Sequence, residues 1–206
     1  DARSPPALFV RHGPRLDHFH DDRLRYDAEG GAVHDNPRQR DPAAYLTVPG
    51  DPPLAEPLAA LAAGRAWGAR VAEAAELPLG VRMVSSPFRR CVETALLFQA
   101  GAAAGAASRV RLRFTVLEVA AHLDGGMRIG EVPWSRHLAH WWVDPEPDVR
   151  RLRRELEKDF GVSLRVAHAR RSEALPDHTV VVTHKGVLQR VGAAAASGAY
   201  APVPSQ

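Results

Sequence analysis

Two short apolar runs in this chain each stop at a histidine. Ala7-Leu8-Phe9-Val10 ends at Arg11-His12-Gly13, and Thr179-Val180-Val181-Val182-Thr183 ends at His184-Lys185-Gly186. Short runs rich in β-branched residues and closed by glycine predict buried strands. A third run, Val81 to Val84, ends at Ser85-Ser86-Pro87, with Arg89 and Arg90 just beyond. Helical patterns separate these runs, which predicts an α/β domain with a largely parallel sheet. In such a sheet the carboxyl ends of the strands line one crevice. Two histidines and several arginines then meet there, a composition suited to a phosphoryl group. Arginine forks hold phosphate oxygens in pairs, and a neutral imidazole can attack phosphorus.

The rest of the chain fills in this pattern. Pro57 to Leu77 carries apolar residues at three- and four-residue spacing and predicts a helix, with Pro57 in its first turn. A helix is predicted from about Phe88 to Ala100, with Ser86 as its cap. The Ala/Gly stretch 100–107 reads as a flexible connection. Val110, Leu112 and Phe114 alternate with arginines, predicting a half-buried strand that leads into Val116-Leu117-Glu118. Helices are predicted at about Asp148 to Phe160, Ser163 to Ala174 and Val187 to Ala196. Residues 16–53 and 119–147 lack periodicity and read as insertions in a single domain spanning 1–206, covering or lining the crevice.

Composition narrows the chemistry. The 206 residues include one cysteine, Cys91, so neither an intrachain disulfide nor a multi-cysteine zinc site can form. Basic residues number 27 and acidic ones 24, and only Lys158 and Lys185 are lysines. The one dense basic run, Arg150-Arg151-Leu152-Arg153-Arg154, is followed at once by Glu155, Glu157 and Asp159. It reads as a solvated helix face, so no nucleic-acid partner is expected. No apolar run reaches the ~18–20 residues of a membrane helix, and no secretory signal is visible; a cytoplasmic protein without a membrane partner is expected.

The ordered set Val10-Arg11-His12-Gly13, Asp51-Pro52-Pro53-Leu54, Ser85-Ser86-Pro87-Phe88-Arg89-Arg90-Cys91-Val92-Glu93-Thr94-Ala95 and Val180-Val181-Val182-Thr183-His184 resembles the histidine phosphatase, or phosphoglycerate-mutase-like, superfamily. The resemblance spans nearly the whole chain. It implies a three-layer α/β/α sandwich with a mostly parallel central sheet and inserted cap or lid segments. It implies that His12 is the nucleophile that becomes phosphohistidine. Arg11 and Arg90 would bind the transferring phosphoryl group, His184 would donate to its oxygens, and Glu118 would be the general acid. Arg15, two places after Gly13, resembles a further phosphate ligand of the phosphatase branch. Arg15-Leu16-Asp17, the long insertion and Asp51-Pro52-Pro53-Leu54 are most similar to the phosphatase domain of the T-cell ubiquitin ligand proteins. The implied enzyme is a phosphoric monoester hydrolase needing no metal or other cofactor, acting on a phosphorylated small molecule or phosphoprotein, and possible as a homodimer.

Two other readings stay open: a phosphomutase, and a catalytically weak phospho-ligand-binding or scaffold domain. Lys185 stands where the superfamily usually has a small residue, so it either adds a phosphate contact or crowds the pocket. The pairs His18/His20 and His137/His140 read as solvated loop histidines rather than metal ligands. Trp134, Trp141 and Trp142 either wall the pocket or pack the second insertion. Cys91 reads as a small core residue on the helix behind Arg90.

Overall fold

The computed structural model describes residues 7–18, 36–47, 51–74, 79–107, 110–120, 146–168 and 178–196. The fold is α/β. Strand β1 (Ala7–Arg11) is followed by two single-turn helices, α1 (Pro37–Arg40) and α2 (Pro42–Tyr45), and then by α3 (Pro57–Ala74). Next come β2 (Leu79–Ser85), α4 (Arg89–Ala106), β3 (Leu112–Phe114), β4 (Glu118–Val119) and α5 (Glu146–Phe160). Strand β5 (His178–Thr183) and α6 (Lys185–Ala196) complete the described chain.

Among the described residues every strand pairing is parallel, in the order β1-β5-β2-β3. Both β3 and β4 lie along β2, β3 pairing with Leu79–Val81 and β4 with Val84 and Ser85. The break between them is bridged by Thr115: its N–H donates to Val81 O (2.9 Å) and its hydroxyl accepts from Met83 N–H (3.2 Å). No ladder donor on β2 is therefore orphaned at the break.

Side-chain parity sorts the two faces of the sheet. Val81, Met83, Val180 and Val182 face the main core, packed with α3, α4 and α5 through Trp67, Leu96, Leu97, Leu152 and Leu156. Val84 and Val181 face the other way, against Val187 and Val191 of α6. Each fully buried Leu or Val contributes about 1.5–3 kcal/mol, so the larger face carries most of the apolar stabilisation. The sheet thus bears helices on both faces.

Three local expectations are corrected. Residues 100–106 are the last turns of α4, not a flexible connection. Gly64 and Gly68 of α3 face Phe98 and Ala102 of α4, and Gly101 and Gly105 of α4 face Leu61 and Arg65 of α3, so closely that an added Cβ would lie 2.0–2.1 Å from a facing carbonyl oxygen. Ser86 does not cap α4; the capping position is Phe88, which makes no side-chain cap bond. Finally, α5 ends at Gly161, whose φ of 63° suits only glycine well, and whose N–H donates to Glu157 O (3.1 Å). Residues 161–168 are then not helical. Leu164 is buried, Phe114 N–H donates to Ala167 O (2.9 Å), and His168 forms a parallel bridge with Phe114. The alternation of Val162, Leu164 and Val166 is strand-like, and it outweighs the helix-compatible composition. Residues 169–174 of that expected helix lie outside the described residues.

Candidate active site

The parallel register builds the site. Arg11 pairs with Thr183 at the ends of β1 and β5, so the next residues, His12 and His184, emerge side by side. His12 N–H donates to Thr183 O (3.1 Å), and the two imidazoles sit edge to face with centroids 5.0 Å apart. Strand β2 ends one step away, and Ser86 N–H donates to Val182 O (2.9 Å). Arg90, in the first turn of α4, completes the group.

Each imidazole is held at one nitrogen. His12 Nδ1 lies 2.7 Å from Gly13 O, which accepts only if Nδ1 carries the proton. That tautomer leaves the Nε2 lone pair as an acceptor, and Arg90 Nε donates to it at 3.4 Å. On His184, Nε2 lies 2.8 Å from Ser86 Oγ and Nδ1 lies 3.4 Å from an Arg90 terminal nitrogen. Phe88 packs edge-on against the His184 ring at 4.9 Å and beneath the Arg90 guanidinium at 4.5 Å. Cys91 Sγ lies 3.6 Å from His184 Nε2. Burial pushes that thiol up to about 12, so Cys91 acts as an inert wall for His184.

Electrostatics keep both rings neutral. Burial lowers His12 to about 4, helped by Arg90, Arg11 and Arg15 and opposed by the bond to Gly13. Burial and the nearby Arg90, His12 and Arg15 lower His184 to about 3. Arg90 is itself 3% exposed and, through burial first, is shifted below the usual arginine range. Its terminal Nη1 is buried with no hydrogen-bond partner among the described residues, and the Asp51 carboxylate stands 3.6 Å from it. An under-satisfied buried guanidinium between two neutral imidazoles has one obvious complement, an anion.

Asp51 is a component the sequence reading quoted but gave no role. It is 5% exposed, and both its oxygens accept the Arg89 N–H, at 2.9 and 3.1 Å. It thus caps α4 from 38 residues away, the task expected of Ser86. Burial raises its pKa to about 6, against the pull of the Arg89 N–H and of Arg90. Behind it stands a network the sequence reading missed. Arg38 and Glu93, both fully buried, pair through two bonds of 2.8 and 2.9 Å. Glu93 also accepts Leu54 N–H (2.8 Å) and Arg89 Nε (2.9 Å), and Arg89 reaches Glu155 on α5. Burial alone would raise Glu93, yet Arg38 and Arg89 hold it below its ordinary value. The network ties Arg38 of α1 and the Leu54 backbone to α4 and α5, which seats Asp51 behind Arg90.

Of the expected site residues, the structure brings together His12, His184 and Arg90. Arg11, exposed at the end of β1, and Arg15 act on His12 through space. Arg15 is fixed by an antiparallel bridge to Leu54 and pairs side-on with Asp17, at 2.9 and 2.5 Å. Lys185 is exposed at the start of α6. Glu118 is not brought to the imidazoles. It is in register with Val84, and its carboxylate is held by Arg82 at 3.0 and 2.7 Å. His20, His137, His140, Trp134, Trp141 and Trp142 lie outside the described residues, as does the His18 side chain. Among the described residues no group of three or more His, Cys, Asp or Glu is placed to hold a metal. None of the described helices is long and apolar enough to cross a membrane.

Compared with known proteins, the chain matches no family model, no curated protein and no solved structure.

Proposed function

We propose that this protein is a phosphomonoester hydrolase of the histidine phosphatase type, with the phosphoglycerate-mutase-like form of the α/β sandwich. The observation that carries this reading is the His12 tautomer. Its Nδ1 proton is committed to Gly13, so Nε2 carries the lone pair, held only by a long 3.4 Å bond from a buried, under-satisfied arginine. In the proposed reaction Nε2 attacks phosphorus and the bond to the ester oxygen breaks, its electron pair leaving with that oxygen. Arg90, turning from the imidazoles, stabilises the phosphoryl oxygens, and His184 joins it in the tautomer in which Nε2 accepts from the Ser86 hydroxyl and Nδ1–H donates to them. Water then attacks the phosphohistidine, the N–P bond breaks with its electron pair returning to Nε2, orthophosphate leaves, and the proton lost by the water balances the one taken up by the ester oxygen. Burial and neighbouring arginines keep His12 unprotonated well below pH 7.

A second reading, the phospho-ligand-binding domain, is favoured by one feature: Glu118, the expected acid, is engaged by Arg82. The experiment that separates the two is hydrolysis of an aryl phosphate in excess chelator, with His12→Ala as control. Turnover by wild type, loss in His12→Ala and a trapped phosphohistidine by 31P NMR support the hydrolase. Vanadate or phosphate binding without turnover supports the binding domain. Absence of both rejects the pocket itself.

A further inference from the structure

Two arginines of the proposed phosphate pocket each already have an internal carboxylate: Arg90 has Asp51, and Arg15 has Asp17. The two carboxylates differ in whether they can leave. Asp51 is buried and caps α4 with both oxygens. Asp17 sits in a single 3-10 turn, Leu16–His18, and its side chain is about as exposed as that of Arg15, 31% against 29%.

Arg15 is rigidly placed. Leu16 N–H donates to Pro53 O (3.0 Å) and Ala55 N–H donates to Pro14 O (2.9 Å), pinning the backbone on both sides of it. From there its charge reaches His12, His184 and Arg90. Asp17 reaches Arg90 as well, with the opposite sign. Yet the Arg15 fork is filled: Nε and one terminal nitrogen both donate to the Asp17 carboxylate. A carboxylate and a phosphate present the same pair of acceptors to that fork.

We propose that Asp17 is a displaceable stand-in for substrate, so that Arg15 engages a phosphoryl group only by exchanging the Asp17 carboxylate for it. This rests on the hydrolase reading and deepens it, making Asp17 a residue that sets which anions the pocket accepts. A half-exposed ion pair is weak and yields to a dianion held at the same time by Arg90. An anion of lower charge gains less from the exchange and is disfavoured.

The test is binding of inorganic phosphate at pH 7.5, by calorimetry, to wild type, Asp17→Asn, Arg15→Ala, the double variant and Arg90→Ala. Asp17→Asn is expected to bind phosphate about three- to tenfold more tightly, and the gain is expected to vanish in the Arg15→Ala background. Equal or weaker binding by Asp17→Asn overturns the proposal, the weaker result making Asp17 a support for Arg15 instead. A gain that survives without Arg15 overturns it too. Arg90→Ala separates this failure from that of the parent reading. If wild type binds phosphate and Arg90→Ala does not, the pocket stands whatever Asp17 does. If wild type and Arg90→Ala are alike in failing to bind, both fall.

Discussion

Arg89 and Arg90 are neighbours in the first turn of α4 and have opposite circumstances. Arg89 is paired with two carboxylates: Glu93 takes its Nε and Glu155 one terminal nitrogen, and despite burial they hold it above the usual arginine range. Arg90 is under-satisfied: its two bonds go to imidazole nitrogens at 3.4 Å, one terminal nitrogen has none, and burial shifts it down. A buried charge held by its own carboxylates is a structural part. A buried charge left short of partners beside two neutral histidines costs stability, and such strain is usual where a ligand is to be bound. The same helix turn thus serves the clamp on one side and the crevice on the other.

The largest effects should come from exchanging these roles. Arg90→Ala is expected to lower aryl phosphate turnover by about 10²–10³, the cost of losing one preorganised charge donor, with little loss of folding stability in urea. Glu93→Ala is expected to do the reverse. It strands Arg38 in the core and should cost about 3–5 kcal/mol of stability, read as a lower urea midpoint, while any folded fraction keeps its turnover. If both variants lose stability alike, the distinction between clamp and crevice is wrong.

A comparable but smaller loss is expected where α3 crosses α4. Gly101→Val drives a side chain into the Leu61 carbonyl and should cost about 1–3 kcal/mol or more, again in urea. This crossing was written in the sequence as two Gly-x-x-x-Gly pairs, 64/68 and 101/105. Only their pairing reveals it, because the glycines of 100–107 taken alone have low helix propensity and read as a loop. The site was legible to the extent that it follows from strand ends. His12, His184 and Arg90 lie within a few residues of β1, β5 and β2, so a parallel sheet was enough to bring them together. Asp51 and Arg38 were not legible, since both lie in an aperiodic insertion and their partners stand 38 and 55 residues away. No local pattern encodes such pairings.

Acid should separate crevice from clamp more gently. The folded-state pKa values of His12 and His184, about 4 and 3, lie below the unfolded value of 6.5. Their contribution is therefore fully present above pH 6.5 and is lost as the pH falls toward 4 and below. Asp51 has the opposite sign, since its folded value of about 6 lies above 3.8 and its contribution fades as the pH rises through 6. Two imidazoles outweigh one carboxyl between about pH 4 and 6, so stability should rise with pH there. Urea unfolding at several pH values checks this, and His12→Asn with His184→Asn should flatten or invert the slope.

The smallest effect tests the one expected catalytic group that the sheet carries elsewhere. Glu118 shares a register position with Val84, so its side chain lies on the sheet face that also bears Arg82, and the two form a bidentate pair. Sequence alone placed Glu118 after a strand but could not give its parity, and parity decides whether a carboxylate meets the crevice or a neighbouring strand. A good leaving group departs without a proton, whereas an alkoxide needs one. With Glu118 on Arg82, Glu118→Gln should change aryl phosphate hydrolysis by no more than about threefold, far short of the 10²–10⁴ that a working acid contributes. Alkyl phosphates make the comparison decisive. If Glu118→Gln abolishes their hydrolysis while sparing the aryl ester, Glu118 leaves Arg82 during turnover and serves as the acid. If it spares both, the pair with Arg82 is a strap between β2 and β4, and the leaving-group proton comes from elsewhere in the crevice.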